Sequence, residues 1–216
     1  MIHVMHKAGP RTRLTAAVGS LALLGVGAFG LLQARAETGK IGEAAPAFTE
    51  LNSAGEKVSL SDFAGKTVVL EWTNDGCPFV QKHYNSGNMQ KTQEAAAYDG
   101  VVWLTVISSK PGAQGYVSGK KADELTASRN AQPTHVLLDP DGSMERAYGA
   151  KTTPHMYVIK GDGQLAYKGA IDSIRSADVN DVPKADNYVL AALKAVKAGK
   201  TPDPALTPSY GCSVKY

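Results

Sequence analysis

The sequence predicts an α/β fold in which a central mixed sheet carries helices on both faces. Short runs of β-branched and apolar residues, typical of buried strands, alternate along the chain with segments of helical periodicity. An alternation of this kind implies a sheet covered by helices. A hairpin turn signal, Gly161-Asp162-Gly163, separates the last two strand patterns and adds antiparallel strands to the sheet.

The elements follow in a regular order. Strand patterns occupy residues 58–60, 67–72, 101–108, 135–139, 154–160 and 165–169. Helical patterns occupy residues 78–84, 89–98, 121–129, 143–148 and 188–198. Pro78 suits the first position of a helix, residues 85–88 (NSGN) interrupt the helical pattern, and Gly199 ends the last helix.

Residues 1–36 have the three-part order of a secretory signal peptide. A basic start is followed by an apolar run over residues 14–32 and by the small-x-small cleavage pattern Ala34-Arg35-Ala36. The alternative is an uncleaved membrane anchor, because the apolar run is nearly long enough to span a bilayer. Either reading predicts an exported, periplasmic-type protein, with membrane contact only if the leader is uncleaved.

The rest of the chain is predicted to form one domain, residues 37–200, followed by a proline-rich tail, residues 201–216. The leader holds four basic residues and no acidic one, so the formal net charge of +3 falls to −1 without it. The basic surplus therefore belongs to the leader. Since no basic patch with interleaved aromatic residues follows it, nucleic acid is not expected as a partner.

Cys77 is predicted to be a reactive nucleophile. It follows a buried strand and a short loop, and it stands directly before Pro78 at the start of a helix. The unpaired N–H groups and partial positive charge of a helix N-terminus stabilise an anion and so favour the thiolate. The alternative is a structural half-cystine, which does not require this position.

Two segments resemble the active-site regions of thioredoxin-like proteins. Residues 71–80 (EWTNDGCPFV) are similar to a strand that runs into Cys-Pro at a helix start, and residues 152–159 (TTPHMYVI) to the cis-proline loop and its strand. Together with the sequence DPDG at 139–142, they resemble the redoxin branch, the alkyl hydroperoxide reductase/thiol-specific antioxidant superfamily, and its peroxiredoxin-like members. The likeness covers residues 41–199 and implies a thioredoxin-like fold.

The resemblance also implies a substrate site around Cys77. Pro154 is then cis, and Thr153 before it offers backbone groups to the substrate. Pro78 and Trp72 complete the expected substrate-binding residues, with the alternative that Trp72 is a core tryptophan and Pro154 an ordinary trans proline.

The chain departs from both the thioredoxin motif and the peroxiredoxin motif. Val80 replaces the second cysteine of a thioredoxin Cys-x-x-Cys, so no local dithiol forms. Leu70 and Asn74 occupy the proline and hydroxyl positions of the peroxiredoxin motif, with Thr73 one place away. The second departure argues against efficient peroxidase activity.

Two further side chains, Glu71 and His155, are candidates for acid–base work near the thiol. Glu71 is a charged residue within an apolar strand, and burial would raise its pKa towards a useful range; alternatively it faces a polar neighbour or solvent. His155 follows Pro154 and either tunes the thiolate or is a partly buried strand histidine. His83 is expected to be exposed. No metal site and no cofactor are predicted.

Cys212 is predicted to be either a resolving cysteine on a mobile tail or half of a structural staple. The predicted function is therefore an exported thiol oxidoreductase in which the Cys77 thiolate attacks a peroxide or a disulfide, Cys212 resolves the intermediate, and an external thiol reductant restores both thiols. The alternative is a non-catalytic thioredoxin-fold binding module with a permanent Cys77–Cys212 disulfide. The sequence predicts no oligomeric state.

Overall fold

The computed structural model describes residues 38–215. The predicted signal peptide, residues 1–36, lies outside this range. Within it, no helix has the length and apolar character needed to cross a bilayer.

The described chain has nine strands and five α-helices. The strands are β1 (Thr49–Asn52), β2 (Lys57–Ser59), β3 (Val68–Trp72), β4 (Val102–Ile107), β5 (His135–Leu138), β6 (Thr152–Thr153), β7 (His155–Ile159), β8 (Leu165–Gly169) and β9 (Cys212–Ser213). The helices are α1 (Pro78–Asn85), α2 (Asn88–Tyr98), α3 (Gly119–Ser128), α4 (Ser143–Tyr148) and α5 (Tyr188–Lys197). Two 3₁₀ segments, Leu60–Phe63 and Val179–Lys184, complete the elements.

Seven strands form a mixed sheet in the order β2-β1-β5-β4-β3-β7-β8. The strand that leads to Cys77, β3, lies inside the sheet, parallel to β4 and antiparallel to β7. All five of its residues are buried, as the run of apolar residues predicts. The prediction of a mixed central sheet is confirmed.

Alternation along β3 divides the core between the two faces of the sheet. Leu70 and Trp72 belong to a cluster that includes residues of α4. Val69 belongs to the opposite cluster, which includes Cys77 and residues of α1, α2 and α5. Because side chains alternate with a period of two, Glu71 points to the same face as Val69.

Strand β1 was not predicted. Its four residues, TELN, include only one that is buried, so the segment lacks the apolar alternation by which a strand is recognised. It pairs with β5 and β2 at one side of the sheet, and these backbone partners stabilise it.

The proline-rich tail packs against the domain, which is not the arrangement expected of a mobile tail. The amide of Lys168 in β8 donates to Ala205 O at 3.1 Å, and the amide of Thr207 donates back to Lys168 O at 3.2 Å. Thr207 and Tyr210 are buried, and Cys212 pairs with Thr153 in the short β6–β9 ladder. The tail therefore packs on the domain and returns the chain to the loop before Pro154.

Candidate active site

Cys77 lies at the N-cap of α1, as predicted. Its backbone is extended (φ −88°, ψ 120°), and Pro78 begins the helix. The residue is fully buried, and its thiol donates a hydrogen bond to Thr153 O at 3.0 Å. The helix start and the loop before Pro154 thus meet at the sulfur.

The peptide bond between Thr153 and Pro154 is cis, as the resemblance implied. Thr153 is also the register partner of Cys212 across the β6–β9 ladder. Gly211 permits this approach: its φ is +137°, and a Cβ there would lie 2.0 Å from Thr153 O. A side chain at position 211 would therefore collide with the backbone that contacts Cys77.

The two cysteines come together at Thr153 although they lie 135 positions apart in the sequence: Cys77 Sγ donates to Thr153 O, and Cys212 is the register partner of Thr153. Both are free thiols in the structure. Burial alone would raise the pKa of Cys77, but hydrogen bonds from the Cys212 and Thr153 side chains and from the Val80 and Cys212 amides lower it below its usual range. The pKa of Cys212 changes in the opposite direction: burial, the hydrogen bond to Cys77 and the negative charge there raise it to about 11.

The pair is therefore asymmetric. The pKa of Cys77 lies below the usual range of a thiol and that of Cys212 lies above it, so Cys77 loses its proton first as the pH rises. Cys77 is inaccessible to solvent, whereas Cys212 is partly exposed. Cys77 is thus the buried member of the pair, and Cys212 is the more accessible one.

A buried polar cluster holds the tail in this position. Tyr210, two residues before Cys212, donates a hydrogen bond from its hydroxyl group to Asp172 Oδ1. Asp172 also accepts from Lys82 Nζ at 3.0 Å, and Lys82 is fully buried in α1, the helix that begins after Cys77. The Tyr210 ring packs edge-on against Phe79 in the same helix. The helix that begins after Cys77 thus also anchors the segment that carries Cys212.

His83 is a correction to the sequence analysis, which expected it to be exposed. It is fully buried, and its ring contacts Tyr210 Oη at 3.2 Å and Asn88 Nδ2 at 2.8 Å. Burial lowers the pKa of His83 to about 4, against the opposing effect of Asp172. The tail covers the face of α1 that helical periodicity alone would leave to solvent.

Glu71 is fully buried. It accepts hydrogen bonds from Tyr84 Oη and Trp103 Nε1, both at 2.8 Å, and from Thr105 Oγ1 at 3.2 Å. Burial raises the pKa of Glu71 in spite of these donors. All its hydrogen-bond partners belong to the sheet and helices, and Cys77 is not among them. Glu71 therefore faces polar neighbours, as the alternative in the sequence analysis states.

His155 and Trp72 are register partners on β7 and β3 and lie on the sheet face opposite Cys77. His155 Nδ1 accepts from the Lys151 amide at 3.2 Å, and burial lowers the pKa of His155 to about 3. Trp72 is completely buried and donates Nε1–H to Ser108 Oγ at 3.0 Å. Because both side chains lie on the other face of the sheet, neither contacts the two thiols. Trp72 is therefore a core tryptophan, the alternative given by the sequence analysis.

Pro78 is exposed beside Cys77, and Thr153 and Pro154 are buried against the thiol pair. Sequence reasoning missed Tyr210, Asp172 and Lys82. The one signal for Tyr210 is an aromatic residue in a tail otherwise poor in large apolar side chains, which marks a point of attachment. Among residues 38–215, no three histidine, cysteine or acidic side chains are grouped to hold a metal.

Comparison with known proteins identifies the family. The family model described as Redoxin matches residues 40–189. The structure is similar to an uncharacterized conserved protein from Geobacillus kaustophilus, with a TM-score of 0.73 at 24% identity over 82% of this chain and 92% of that chain. No curated protein sequence matches the chain.

Two further solved structures are similar. A hypothetical protein from Sinorhizobium meliloti 1021 has a TM-score of 0.68 at 22% identity and covers 83% of this chain and 96% of its own. A putative thiol:disulfide interchange protein DsbE from Chlorobium tepidum has a TM-score of 0.52 at 25% identity over 72% and 99%. The predicted thioredoxin-like fold is confirmed.

Proposed function

The chain belongs to the redoxin family, and we propose that it is an exported thiol–disulfide oxidoreductase whose redox centre is the pair Cys77 and Cys212. The observation that carries the proposal is that two cysteines from opposite ends of the domain meet at Thr153: its carbonyl oxygen accepts from Cys77 Sγ at 3.0 Å, and Cys212 is its register partner in the β6–β9 ladder. A folded chain that held two cysteines apart would have no internal route to a disulfide. The signal-peptide pattern of residues 1–36 supports export.

The reaction is a two-step exchange. The Cys77 thiolate attacks one sulfur of a substrate disulfide R–S–S–R, forms a mixed disulfide and releases one RS⁻. Cys212 then gives up its proton and attacks the Cys77 sulfur, which releases the second RS⁻ and leaves a Cys77–Cys212 disulfide. The substrate gains two electrons and two protons as two thiols, and an external thiol must restore the enzyme.

The unequal burial of the two sulfurs assigns them different roles. In the oxidised protein the accessible sulfur is Cys212, so an incoming thiolate attacks there and expels Cys77. Cys77 is the better leaving group because its thiolate has the lower pKa. In the reduced protein a large disulfide reaches Cys77 only after the tail moves aside.

Peroxide reduction is the second candidate, and one contact favours it. The residue that contacts the Cys77 sulfur through its carbonyl oxygen, Thr153, also carries a hydroxyl, although Asn74 replaces the hydroxyl residue of the peroxiredoxin motif. Attack on ROOH would give a Cys77 sulfenic acid and ROH. Cys212 would condense with the sulfenic acid to give the same disulfide and water.

Rapid mixing separates these activities. The reduced protein is mixed in a stopped-flow instrument with a mixed disulfide and, in parallel, with hydrogen peroxide. Exchange is expected with the disulfide, and peptide mapping should then recover a Cys77–Cys212 peptide. Cys77→Ser is the inactive control. A protein inert to both reagents, with a bridge that dithiothreitol does not reduce, is the non-catalytic binding module instead.

The single variant Cys212→Ser tests the resolving role. The first attack by Cys77 should persist, while the product should remain a mixed disulfide or, with peroxide, a sulfenic acid that dimedone traps. Iodoacetamide alkylation at several pH values should show a Cys77 pKa below the free-thiol value of about 8.5. Turnover of Cys212→Ser at the unmutated rate would make this a one-cysteine enzyme.

A further inference from the structure

A cavity of about 230 Å³ lies beside the loop that leads into Cys77. Thr73, Asn74 and Gly76 form one wall, and Lys121 and Arg129 contribute to the other. Gly76 precedes Cys77 in the chain, so the cavity adjoins the loop that carries this cysteine, although neither cysteine lines it. The proposed exchange reaction assigns no role to this space.

Thr73 supplies an unexplained polar atom. Thr73 is one of the lining residues and is only 3% exposed, and its Oγ1, which has almost no exposed surface, has no hydrogen-bond partner among residues 38–215. Buried hydroxyl groups in folded proteins are nearly always paired, and an unpaired one costs stability. The Thr73 hydroxyl is therefore free to donate a hydrogen bond to a ligand.

Two cations share the cavity. The Arg129 guanidinium lies over the Tyr84 ring at 4.2 Å; its Nη1 is buried without a hydrogen bond, 3.8 Å from Asp75 Oδ1. Lys121 is more than half exposed, with Nζ 3.5 Å from Glu124. Asp75 also lines the cavity, so the lining carries two positive charges and one negative charge.

A pair of amides fixes the width of the cavity. Asn74 Nδ2 donates to Gln114 Oε1 at 2.9 Å, and Gln114 Nε2 donates back to Asn74 Oδ1 at 3.0 Å. These bonds hold the segment around Gln114 against the Cys77 loop. The cavity is thus a preformed feature of the reduced protein.

We propose that this cavity binds the carboxylate arm of a low-molecular-weight disulfide, so that the substrates of the Cys77–Cys212 pair are disulfides of carboxylate-bearing thiols. The inference rests on the proposed function. Thr73 Oγ1 and Arg129 Nη1 donate to the carboxylate, and Lys121 adds a second positive charge. The cavity is smaller than a site for a whole drug-sized ligand, so it accommodates one arm while the disulfide bond extends towards Cys77.

The first test uses a ligand that cannot react. Calorimetric titration of the protein with 3-(methylthio)propionate, a thioether carboxylate, should show binding, whereas its uncharged methyl ester should not bind. Thr73→Val should weaken the affinity about tenfold, as the loss of a hydrogen bond to a charged group does. Lys121→Gln should weaken it a few-fold, and the neighbouring exposed residue supplies the control Lys120→Gln, which should bind normally.

Thermal unfolding gives Thr73→Val a second measurement. Valine has the same shape and removes an unpaired hydroxyl, so the melting temperature should stay constant or rise while the affinity falls. A lower melting temperature with unchanged binding would make the hydroxyl structural and overturn the proposal. Equal binding of the carboxylate and its ester, or no binding of either, would also overturn it.

The second test compares rates of exchange with three disulfides of similar size. The anionic 3,3′-dithiodipropionate should react faster than the neutral bis(2-hydroxyethyl) disulfide, and cationic cystamine should be slowest. In Lys121→Gln, the exchange rates with the three disulfides should differ less than in the unmutated protein. Equal rates for all three overturn the proposal but leave the redox function intact. Binding of the thioether carboxylate by a protein that exchanges with none of them overturns the proposed function and, with it, the assignment of the substrate.

Discussion

Two buried carboxylates, Glu71 and Asp172, share a chemistry but differ in what they hold together. The hydrogen-bond donors to Glu71 come from β4, α1 and α2, all within the predicted domain. Asp172 binds Lys82 in α1 on one side and Tyr210 in the tail on the other. A buried acid can thus stabilise a fold or attach a functional segment to it, and its partners decide which.

The largest effect is expected for Asp172→Asn. The change leaves the Lys82 ammonium buried without its counter-charge, which typically costs about 3 kcal/mol or more. Urea unfolding should show this loss. The equilibrium constant for Cys77–Cys212 disulfide formation with glutathione should also fall, because the tail loses its anchor. An unchanged equilibrium constant would show that the Asp172 cluster does not influence the redox centre.

Glu71→Gln should reduce stability by less and leave the disulfide equilibrium unchanged. The amide has one acceptor oxygen where Glu71 has two, so a buried donor such as Trp103 Nε1 loses its partner at a cost of about 2 kcal/mol. The same urea and glutathione measurements apply. A shift of the disulfide equilibrium would show that Glu71 serves the thiols after all.

Tyr210→Phe isolates the link to the tail. The ring still packs on Phe79, but the hydrogen bond to Asp172 is lost. The disulfide equilibrium constant should fall about tenfold, which corresponds to 1.4 kcal/mol. Tyr98→Phe, at a position 91% exposed, is the matched control and should have no effect. Equal behaviour of the two variants would remove the anchoring role.

The last prediction concerns the dependence of stability on pH. The pKa of His83 is lowered from 6.5 in the unfolded chain to about 4 in the fold, so between these values the unfolded state binds the extra proton. The stability that neutral His83 provides is therefore complete above pH 6.5 and is lost as the pH falls towards 4, by at most about 1.4 kcal/mol per pH unit. His83→Gln should show a shallower loss in urea unfolding between pH 7 and 5. An identical pH profile would exclude His83 as the group responsible.

Local patterns predicted most of the fold and half of the site. The alternation of strands and helices, the break at residues 85–88 and the position of Cys77 depend on neighbours in sequence, and all three appear in the structure. The burial of His83 and the packed tail depend on contacts across many residues, such as that of Thr207 Oγ1 with the Ala170 amide and Tyr167 Oη. Low apolar content made the tail look mobile, because side-chain composition does not reveal backbone pairing with β8.

The separation of Cys77 and Cys212 in sequence also has a thermodynamic consequence. A bond between them would enclose the 134 residues from 78 to 211, which include most of the sheet and all five α-helices of the described residues. Chain-entropy estimates assign a cross-link over a loop of this length about 5 kcal/mol of stabilisation, more than a bond between adjacent cysteines gives. The oxidised protein should then resist heat and proteases better than the reduced one. By linkage, any condition that strains the fold should make the bond easier to reduce, so the redox state of this chain would report on its own folding.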